Sequence, residues 1–573
     1  MTALAAGCLV LYLTGASGYD LLTDDEMRYA EAGRRMVESG DWVVPEYNGY
    51  PRYQKPILFY WLQATAQGIL GSSPWSARLP TAVAGTLLVL LMAAVAGQVW
   101  GQRAGWWSGV VLAVMAGIVL LSRMVMTDIV LLLFLQAGLG AFYVAQLREP
   151  PQRGPWYLAM WTAFAFGFLT KGPIAYLLPF AFLVPWLAVR GELLATVRES
   201  RILRGLMILL IVAGPWYLAA HIVTEGDFSR HFFVTENLGR FLTNVNPHDA
   251  PPFLYFLILI PLTFPWAGLL PQVVRHALRQ SLRGPFRDAL PLLLVWQAAL
   301  VFVVFTLSRT RVWTYTLPML PPLALLIGRW IADRVGNSST DAKPMRPALW
   351  VFLTVALLLG IGSVFLRAEH LPDVVRDARL IWQIRLLAGL LVVLSLLAVL
   401  TDQRHRMTAT LTLLSLGALG FYLTAAFTVI PTVDELLRKP VRRAAEMIRR
   451  HRANVIVTCH VHELGLNFLT GERVVLHWRT HTADDLADFL RGPGRIFVLI
   501  ASERWHEYEG LQLYVWDRNP RFVLAANFPP ESLLEPAGNT DLVTHATTAS
   551  EEERAVSKVP GSVERSGLDE SAR

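Results

Sequence analysis

The sequence predicts an all-α polytopic membrane bundle of about 13 transmembrane helices, with juxtamembrane helices and a small C-terminal α/β extracytoplasmic domain. Three observations lead there. The 573 residues are 54% hydrophobic and 17% charged, with a mean hydropathy of +0.41, a balance that soluble globular domains do not reach. Apolar stretches long enough to cross the hydrocarbon core as helices recur as far as about residue 430. Beyond Pro431 the pattern changes to short apolar runs such as NVIVTC and RIFVLIA, with an amphipathic helix between Val441 and Arg450, the pattern of a small α/β unit.

Taken in order, the expected spans lie near 3–22, 79–99, 106–121, 125–147, 156–170, 173–190, 205–223, 253–272, 289–307, 313–332, 348–366, 380–400 and 407–430. The first has no basic leader and no A-x-A-type site after it, so it reads as a retained helix. The loops at 190–204 (Arg190, Arg198, Arg201, Arg204), 275–287 (Arg275, Arg279, Arg283, Arg287) and 329–346 (Arg329, Arg334, Lys343, Arg346) are rich in base and are expected in the cytoplasm. The N-terminus is then inside, and an odd number of crossings puts residues 23–78 and everything after 430 outside. Residues 1–430 are thus expected as the membrane domain, 431–533 as the α/β domain, and 534–573, polar and without periodicity, as a disordered tail. The net charge of +7 belongs mostly to cytoplasmic arginines that meet membrane lipid headgroups, so it does not imply nucleic acid. Cys8 and Cys459, one in a span and one in the tail domain, have no joint disulfide or metal role.

The first outer loop opens TDDEMRYAEAGRRMVESG. Thr23 and Glu26 fit the S/T-x-x-E capping box, and Ser39-Gly40 ends the helix; acids in a first turn also suit the helix dipole. Capping and catalysis are both open readings of these acids. A turn at Asn48-Gly49 follows, and then an amphipathic segment, Ile57 to Gly71, too short to cross and suited to lie at the interface.

The D-E-x-R-Y-A-E helix start, the G-D-W-V-V-P turn and the K-P-x-x-x-Y-W segment resemble the GT-C class of membrane glycosyltransferases. Within it they are similar to the protein O-mannosyltransferase-like family, close to the lipid A aminoarabinose transferase group. The resemblance continues through LSRMVMTDIVLLLF at 121–134, FLTKGPIAYLLP at 168–179, ENLGRF at 236–241 and LSRTRVWTYTLPMLPPLALL at 307–326. It implies a GT-C fold in a bacterial inner membrane. The implied reaction transfers a sugar from a polyprenyl-phosphate carrier to an envelope lipid or glycan acceptor, such as lipid A, at the outer face. The readings beside it are protein O-mannosyl transfer and transport of a lipid-linked sugar; no internal repeat and no nucleotide motif supports transport.

The resemblance also implies roles. Asp25 is the acceptor-activating or acceptor-binding carboxylate, with Glu26 and Tyr29 beside it for the acceptor. Asp128 is a second catalytic carboxylate. Lys55, Lys171, Arg240 and Tyr315 are expected around the donor phosphate, where cations stabilise the charge of a departing phosphate. Each has a plainer reading: Lys55 and Lys171 as interface anchors, Tyr315 as an aromatic-belt residue, Asp128 as the partner of Arg123. Arg230, His231, Asn237, His248, Arg309 and Arg311 share the same side of the membrane. Many relatives carry an acid where Gln54 stands and a histidine where Glu236 stands. The resemblance therefore allows a divalent metal, with Gln54 and Glu236 departing from the family pattern at two positions that bear on it, and no other cofactor is implied.

Overall fold

The computed structural model describes residues 1–239, 254–307, 312–336, 345–403 except 368, 370, 371, 373 and 374, and 407–530 except 454, 462–464, 472–474, 479–482 and 493. It begins with α1 (Thr2–Leu13), whose chain then turns through residues 14–22 into α2 (Asp24–Ser39). The capping box read from the sequence is formed: Thr23 accepts from the Glu26 amide, and the Glu26 side chain accepts from the Thr23 amide. Gly40 ends α2 in the left-handed region. A two-residue hairpin follows, β1 (Glu46–Tyr47) against β2 (Tyr50–Pro51), turned by Asn48 and Gly49 at positive φ. The interfacial segment becomes α3 (Leu58–Leu70). The chain then enters α4 (Pro74–Trp100), whose 27 residues extend about 40 Å at 1.5 Å per residue.

Among the described residues, six helices are long and apolar enough to cross a membrane, and up to nine if three bent pairs count as one span each. This is a multi-pass membrane protein. The spans expected at 106–121, 205–223 and 253–272 are those bent pairs, the first made of α5 (Gln102–Ala113) and α6 (Ala116–Ser122), with bends of 64°, 44° and 114°. Two of the breaks fall at Gly214-Pro215 and Pro265, where proline removes a helix hydrogen bond and crowds the preceding turn. Helix α1 and α9 (Ile174–Arg190) are apolar but shorter than a straight span.

Arg78, fully buried near the start of α4, organises one end of the bundle. Its guanidinium donates to the carbonyls of Ala16, Tyr19 and Asp20 at 2.6–2.9 Å, stacks over the Tyr19 ring at 3.9 Å, and stands 3.9 Å from the Glu26 carboxylate. The same Glu26 oxygen accepts from the Val125 amide, and Arg123 donates to Leu11 and Thr14 carbonyls. The α1–α2 turn, the cap of α2 and the turn at 122–126 are thereby tied to α4.

The opposite end of α4 collects the basic loops. The Trp100 indole donates to the Arg287 carbonyl, Arg287 to the Val99 carbonyl, Arg329 to the Arg287 carbonyl, and Arg190 to the Leu282 carbonyl.

α7 (Thr127–Gln146) and α8 (Gly154–Lys171) cross closely at Gly138, where a methyl group on the Cα would stand 2.1 Å from Phe164 Cε1. In a membrane this tight backbone approach supplies the packing that water exclusion supplies elsewhere.

Residues 439–526 form a five-stranded sheet in the order β4-β3-β5-β7-β6: β3 (Val455–Cys459), β4 (Leu476–Trp478), β5 (Ile496–Ala501), β6 (Tyr514–Arg518) and β7 (Phe522–Ala526). β3 pairs in parallel with β4 and β5, and β7 is antiparallel to β5 and β6. The amphipathic helix Lys439–Arg450 buries Val441, Ala444, Ala445 and Ile448 against one face. This unit touches the first loop directly. The Asn48 side chain accepts from the Val475 amide and donates to its carbonyl, and Arg35 donates to the Gly471 carbonyl. Asp434, ion-paired with Arg442, accepts from the Asp20 amide. The tail at 534–573 lies outside the described residues.

The Gly138 crossing is open to test. Gly138→Ala is expected to lower thermal stability in detergent by the equivalent of about 1–3 kcal/mol, the usual cost of overpacking. Gly362→Ala, where no atom lies within 4 Å of the added methyl, is expected to be neutral or mildly stabilising. Equal shifts for the two would contradict the assigned crossing.

Candidate active site

The first turn of α7 and the last turn of α8 meet at the Arg78 end of the bundle, because antiparallel helices joined by a short loop bring such ends together. Lys171 Nζ stands 2.8 Å from Asp128 Oδ1, with side chains 19% and 11% exposed. The partner of Asp128 is therefore Lys171, while Arg123, the neighbour in sequence, is spent on the backbone of α1. α8 can stop directly after Lys171 because Gly172 takes a positive φ of 77° and the Phe232 ring packs onto its bare Cα, where a Cβ would stand 2.6 Å from Cζ. That contact anchors a π-helical run, Arg230–Gly239, over the pair.

Together these elements enclose a cavity of about 240 Å³. Its polar side is Gln54, Lys55, Asp128, Lys171, Glu236 and Tyr315; its apolar side is leucine from α7 together with Ile174, Phe232 and Phe305. The Lys55 ammonium donates to the Gln54 carbonyl at 3.1 Å, and that of Lys171 lies 6.0 Å from the Tyr315 ring centroid. Gln54 Oε1 is buried without a hydrogen bond to the described residues, and Glu236 stands 3.7 Å from His231. The cavity thus offers two ammonium groups and two carboxylates, of which Asp128 is paired with Lys171, beside an apolar wall, a setting in which an anion on an apolar chain is held by charge at one end and by burial along the other.

Beside the cavity lies a second cluster. Asp25 is half exposed in the first turn of α2 and pairs with Arg28 at 3.6 Å. One turn on, Tyr29 is buried, with its ring edge-on to Phe59 at 5.1 Å and the Arg52 guanidinium 5.1 Å from its centroid. Arg52 Nε donates to the Tyr60 hydroxyl at 2.7 Å. Burial above all, then Tyr60, pushes the Tyr29 phenol well above the ordinary tyrosine value; Asp25 and Asp128 act in the same sense, and Arg52 opposes them. Burial likewise raises Tyr60, with Arg52 opposing and Asp25 and Glu236 adding to the rise. Both phenols therefore stay protonated, and they lie within electrostatic reach of Asp25 on one side and of the cavity carboxylates on the other.

The expected site residues separate accordingly. Lys55, Asp128, Lys171 and Tyr315 share the cavity, with Glu236 and Asn237; Asp25 and Tyr29 stand beside it. Glu26 does not line it: the residue is 2% exposed and its oxygens are engaged by the amides of Leu22, Thr23 and Val125, so its visible task is to fix α2. Arg240, His248, Arg309 and Arg311 lie outside the described residues. Arg52 and Tyr60 carried no role in the sequence reading, although their place in PRYQKPILFY, three residues before Lys55 and five after it, was a local signal. Among the described residues no group of three or more His, Cys, Asp or Glu side chains could hold a metal ion, and Asp128 is already charge-matched by Lys171, so no step through a metal is derived.

The bundle, the two lysines and the apolar-walled cavity define the class of protein: a polytopic membrane protein of the GT-C fold. Its fold matches that of ArnT from Cupriavidus metallidurans bound to undecaprenyl phosphate, with a TM-score of 0.77 over 94% of this chain and 99% of that one, at 23% identity. Residues 1–226 match the family model described as dolichyl-phosphate-mannose-protein mannosyltransferase. The undecaprenyl phosphate-alpha-4-amino-4-deoxy-L-arabinose arabinosyl transferase of Aeromonas salmonicida (strain A449) is 32% identical over 334 residues, 57% of this chain and 58% of that protein. The protein of the same name from Shewanella sediminis (strain HAW-EB3) is 30% identical over 374 residues, 63% and 66%. The chain therefore matches about three fifths of the length of these curated relatives. The family resemblance carried by the motifs is borne out as similarity: the chain resembles the named arabinosyl transferases, its first 226 residues match the mannosyltransferase model, and its fold is that of ArnT.

Coupling within the Asp128–Lys171 pair can be measured without turnover. Asp128→Asn and Lys171→Met are each expected to lower stability, and the double variant to lose less than the sum, with a coupling of about 0.5–3 kcal/mol. Strict additivity would show that the pair contributes nothing in solution.

Proposed function

We propose that the protein is an integral membrane glycosyltransferase that moves a sugar from a polyprenyl-phosphate carrier to lipid A or a related envelope lipid or glycan. The observation that carries this reading is the cavity in which Lys55 and Lys171 face one apolar wall, because a polyprenyl phosphate is an anion on an apolar chain. The names of the curated relatives, each an arabinosyl transferase of an undecaprenyl phosphate sugar, support it.

In this reading the carrier's phosphate lies between Lys55 and Lys171, with Tyr315 and Arg240 completing its surroundings. As the acceptor oxygen bonds to the anomeric carbon, the bond from that carbon to the phosphate oxygen breaks, and the phosphate leaves with the electron pair. The two ammonium groups meet the charge that develops on it, a contribution present only as the bond breaks. Asp128, 2.8 Å from the Lys171 ammonium, aims it at the phosphate. Asp25 receives the proton of a hydroxyl acceptor; for a phosphate acceptor, already anionic, it orients the incoming group or an amino group on the sugar. One displacement without a protein nucleophile inverts the anomeric centre.

The reading also covers layout. The basic loops and the cavity belong to opposite ends of α4, which supports a cytoplasmic basic end, an outer-face site and a cytoplasmic N-terminus in the bacterial inner membrane. About thirteen crossings, residues 431–533 as an extracytoplasmic unit and 534–573 as a polar tail complete the proposal.

The test is transfer by the purified protein from undecaprenyl-phosphate sugars to lipid A, followed by mass spectrometry. Asp25→Asn and Lys55→Ala are expected to reduce transfer by about 10²-fold or more, the range for losing a positioned base or a charge-stabilising donor, with thermal stability intact. Transfer that survives both substitutions would overturn the site, and a wild type that consumes no carrier-linked sugar would overturn the function.

A further inference from the structure

The C-terminal α/β unit supplies no group to the reaction proposed above, and its sheet has a switch point. The chain leaves β3 toward the helix Leu466–Thr470, where Leu466 packs with Val441, Ala444 and Phe497 on one face. It leaves β5 toward the run Ser502–Glu507, where Trp505 packs with Cys459 and Val498 on the other. β3 and β5 are parallel neighbours, with Cys459 opposite Ile500, so the two exits part side by side and leave a crevice at the carboxyl ends of the strands. In open α/β sheets such a crevice is where ligands bind.

Four side chains gather there. His460, the first residue after β3, turns at a φ of 58°, a left-handed conformation that residues with a Cβ seldom adopt. Arg504 Nη1 lies 3.3 Å from His460 Nδ1 and 3.2 Å from Nε2. A neutral imidazole carries hydrogen on one of those nitrogens, so at that atom two donors face each other, and an acceptor shared between them relieves the contact. Burial first, then Arg504, hold the ring below the ordinary histidine value, with Glu507 opposing, so it is neutral at pH 7. The third group is Tyr508. The residue is 1% exposed, its hydroxyl bonds to no described residue, and that hydroxyl lies within electrostatic reach of Arg504, Glu507 and Cys459. A hydroxyl on so buried a side chain is ordinarily paired. Glu507 Oε1, 3.8 Å from Arg504 Nε, completes the cluster; the two side chains are 42% and 49% exposed, so this pair holds Arg504 weakly.

We propose that the crevice between β3 and β5 binds an oxyanion of phosphate type, which accepts from the Arg504 guanidinium, the His460 ring N–H and the Tyr508 hydroxyl while Glu507 turns away. Three donors, one of them a guanidinium, match the oxygens of a phosphate. A dissolved phosphate and a phospholipid headgroup share this chemistry. None of these residues lines the cavity of Lys55 and Lys171, and the site is independent of the transferase reading.

The test uses the full-length protein in detergent as wild type, Arg504→Gln, Arg504→Lys, Glu507→Gln and Tyr508→Phe. Binding of inorganic phosphate is measured by isothermal titration calorimetry, and retention of phosphatidylglycerol against phosphatidylcholine by native mass spectrometry. Arg504→Gln is expected to weaken binding about 10–100-fold and Tyr508→Phe about 2–10-fold. Arg504→Lys should keep part of the affinity, and Glu507→Gln, which removes the competing carboxylate, should tighten it by up to about fivefold. Phosphate bound elsewhere is common to all the variants, so the Arg504-dependent part alone reports this site. Dependence on Arg504 in the calorimetry alone assigns a dissolved anion, in the lipid arm alone a headgroup, and in both the shared chemistry. Absence of binding of either probe by wild type, affinities unchanged in Arg504→Gln, or a Glu507→Gln variant that binds more weakly would overturn the proposal. Should Arg504→Gln melt early, Glu507→Gln and Tyr508→Phe, with their opposite expected directions, decide it.

Discussion

One buried charge arrangement fixes the end of the molecule where the chemistry is placed. Glu26 and Arg78 are each almost wholly removed from water, and each is compensated by backbone: amides of the α2 cap and Val125 for the acid, carbonyls of the α1–α2 turn for the base. Burying two charges is unfavourable unless the remaining donors and acceptors are all used, and here the backbone supplies most of them. The consequence is geometric. The start of α2, the start of α4 and the turn before α7 have one mutual arrangement, so Asp25, the residue before Glu26, and Asp128, three residues after Val125, are carried on the same frame. A single pair that contributes little net stability can still specify where four segments go.

The cavity depends on that frame and on two close backbone contacts. α7 and α8 approach at Gly138, which sets the Asp128 and Lys171 ends side by side; Gly172 then lets Phe232 bring the 230–239 run across them. The C-terminal sheet adds a further constraint, because Asn48 pairs with the backbone of Val475 much as a strand neighbour would. The hairpin that leads into Arg52 and Lys55 is thus braced from the side away from the bundle. Membrane helices, interfacial helices and the α/β unit therefore all bear on a few side chains near one end of α4.

Much of this was legible in the sequence where the determinants are local. The capping box of Thr23 and Glu26, the Asn48-Gly49 turn, the short interfacial helix after Pro56 and the amphipathic helix before β3 follow from neighbours in the chain, and each is formed. The spans were legible by hydropathy, but not their bends, since hydropathy averages over the breaks that divide three of them, two of which fall at Gly-Pro or Pro. At the site, Lys55, Asp128, Lys171 and Tyr315 were found because motifs mark them. Pairings were not, because they join distant segments. Arg123 is closer to Asp128 in sequence than Lys171 is, yet its guanidinium turns to α1. No motif reading marks Arg52 or Arg78, which burial sets apart, and Glu26, expected beside Asp25 on the acceptor side, is withdrawn from the cavity by the amides it accepts from.

The central claim is that the cavity between Asp128, Lys171 and Lys55 receives the phosphate of a polyprenyl carrier. An experimental structure of the protein in lipid with undecaprenyl phosphate tests it most directly. The account predicts phosphate oxygens at charge-assisted hydrogen-bond distance, about 2.7–2.9 Å, from both lysine ammonium groups, with the isoprenoid chain along the apolar wall of α7. A phosphate seated elsewhere, with the Asp128–Lys171 pair closed and the cavity holding only solvent, would contradict it.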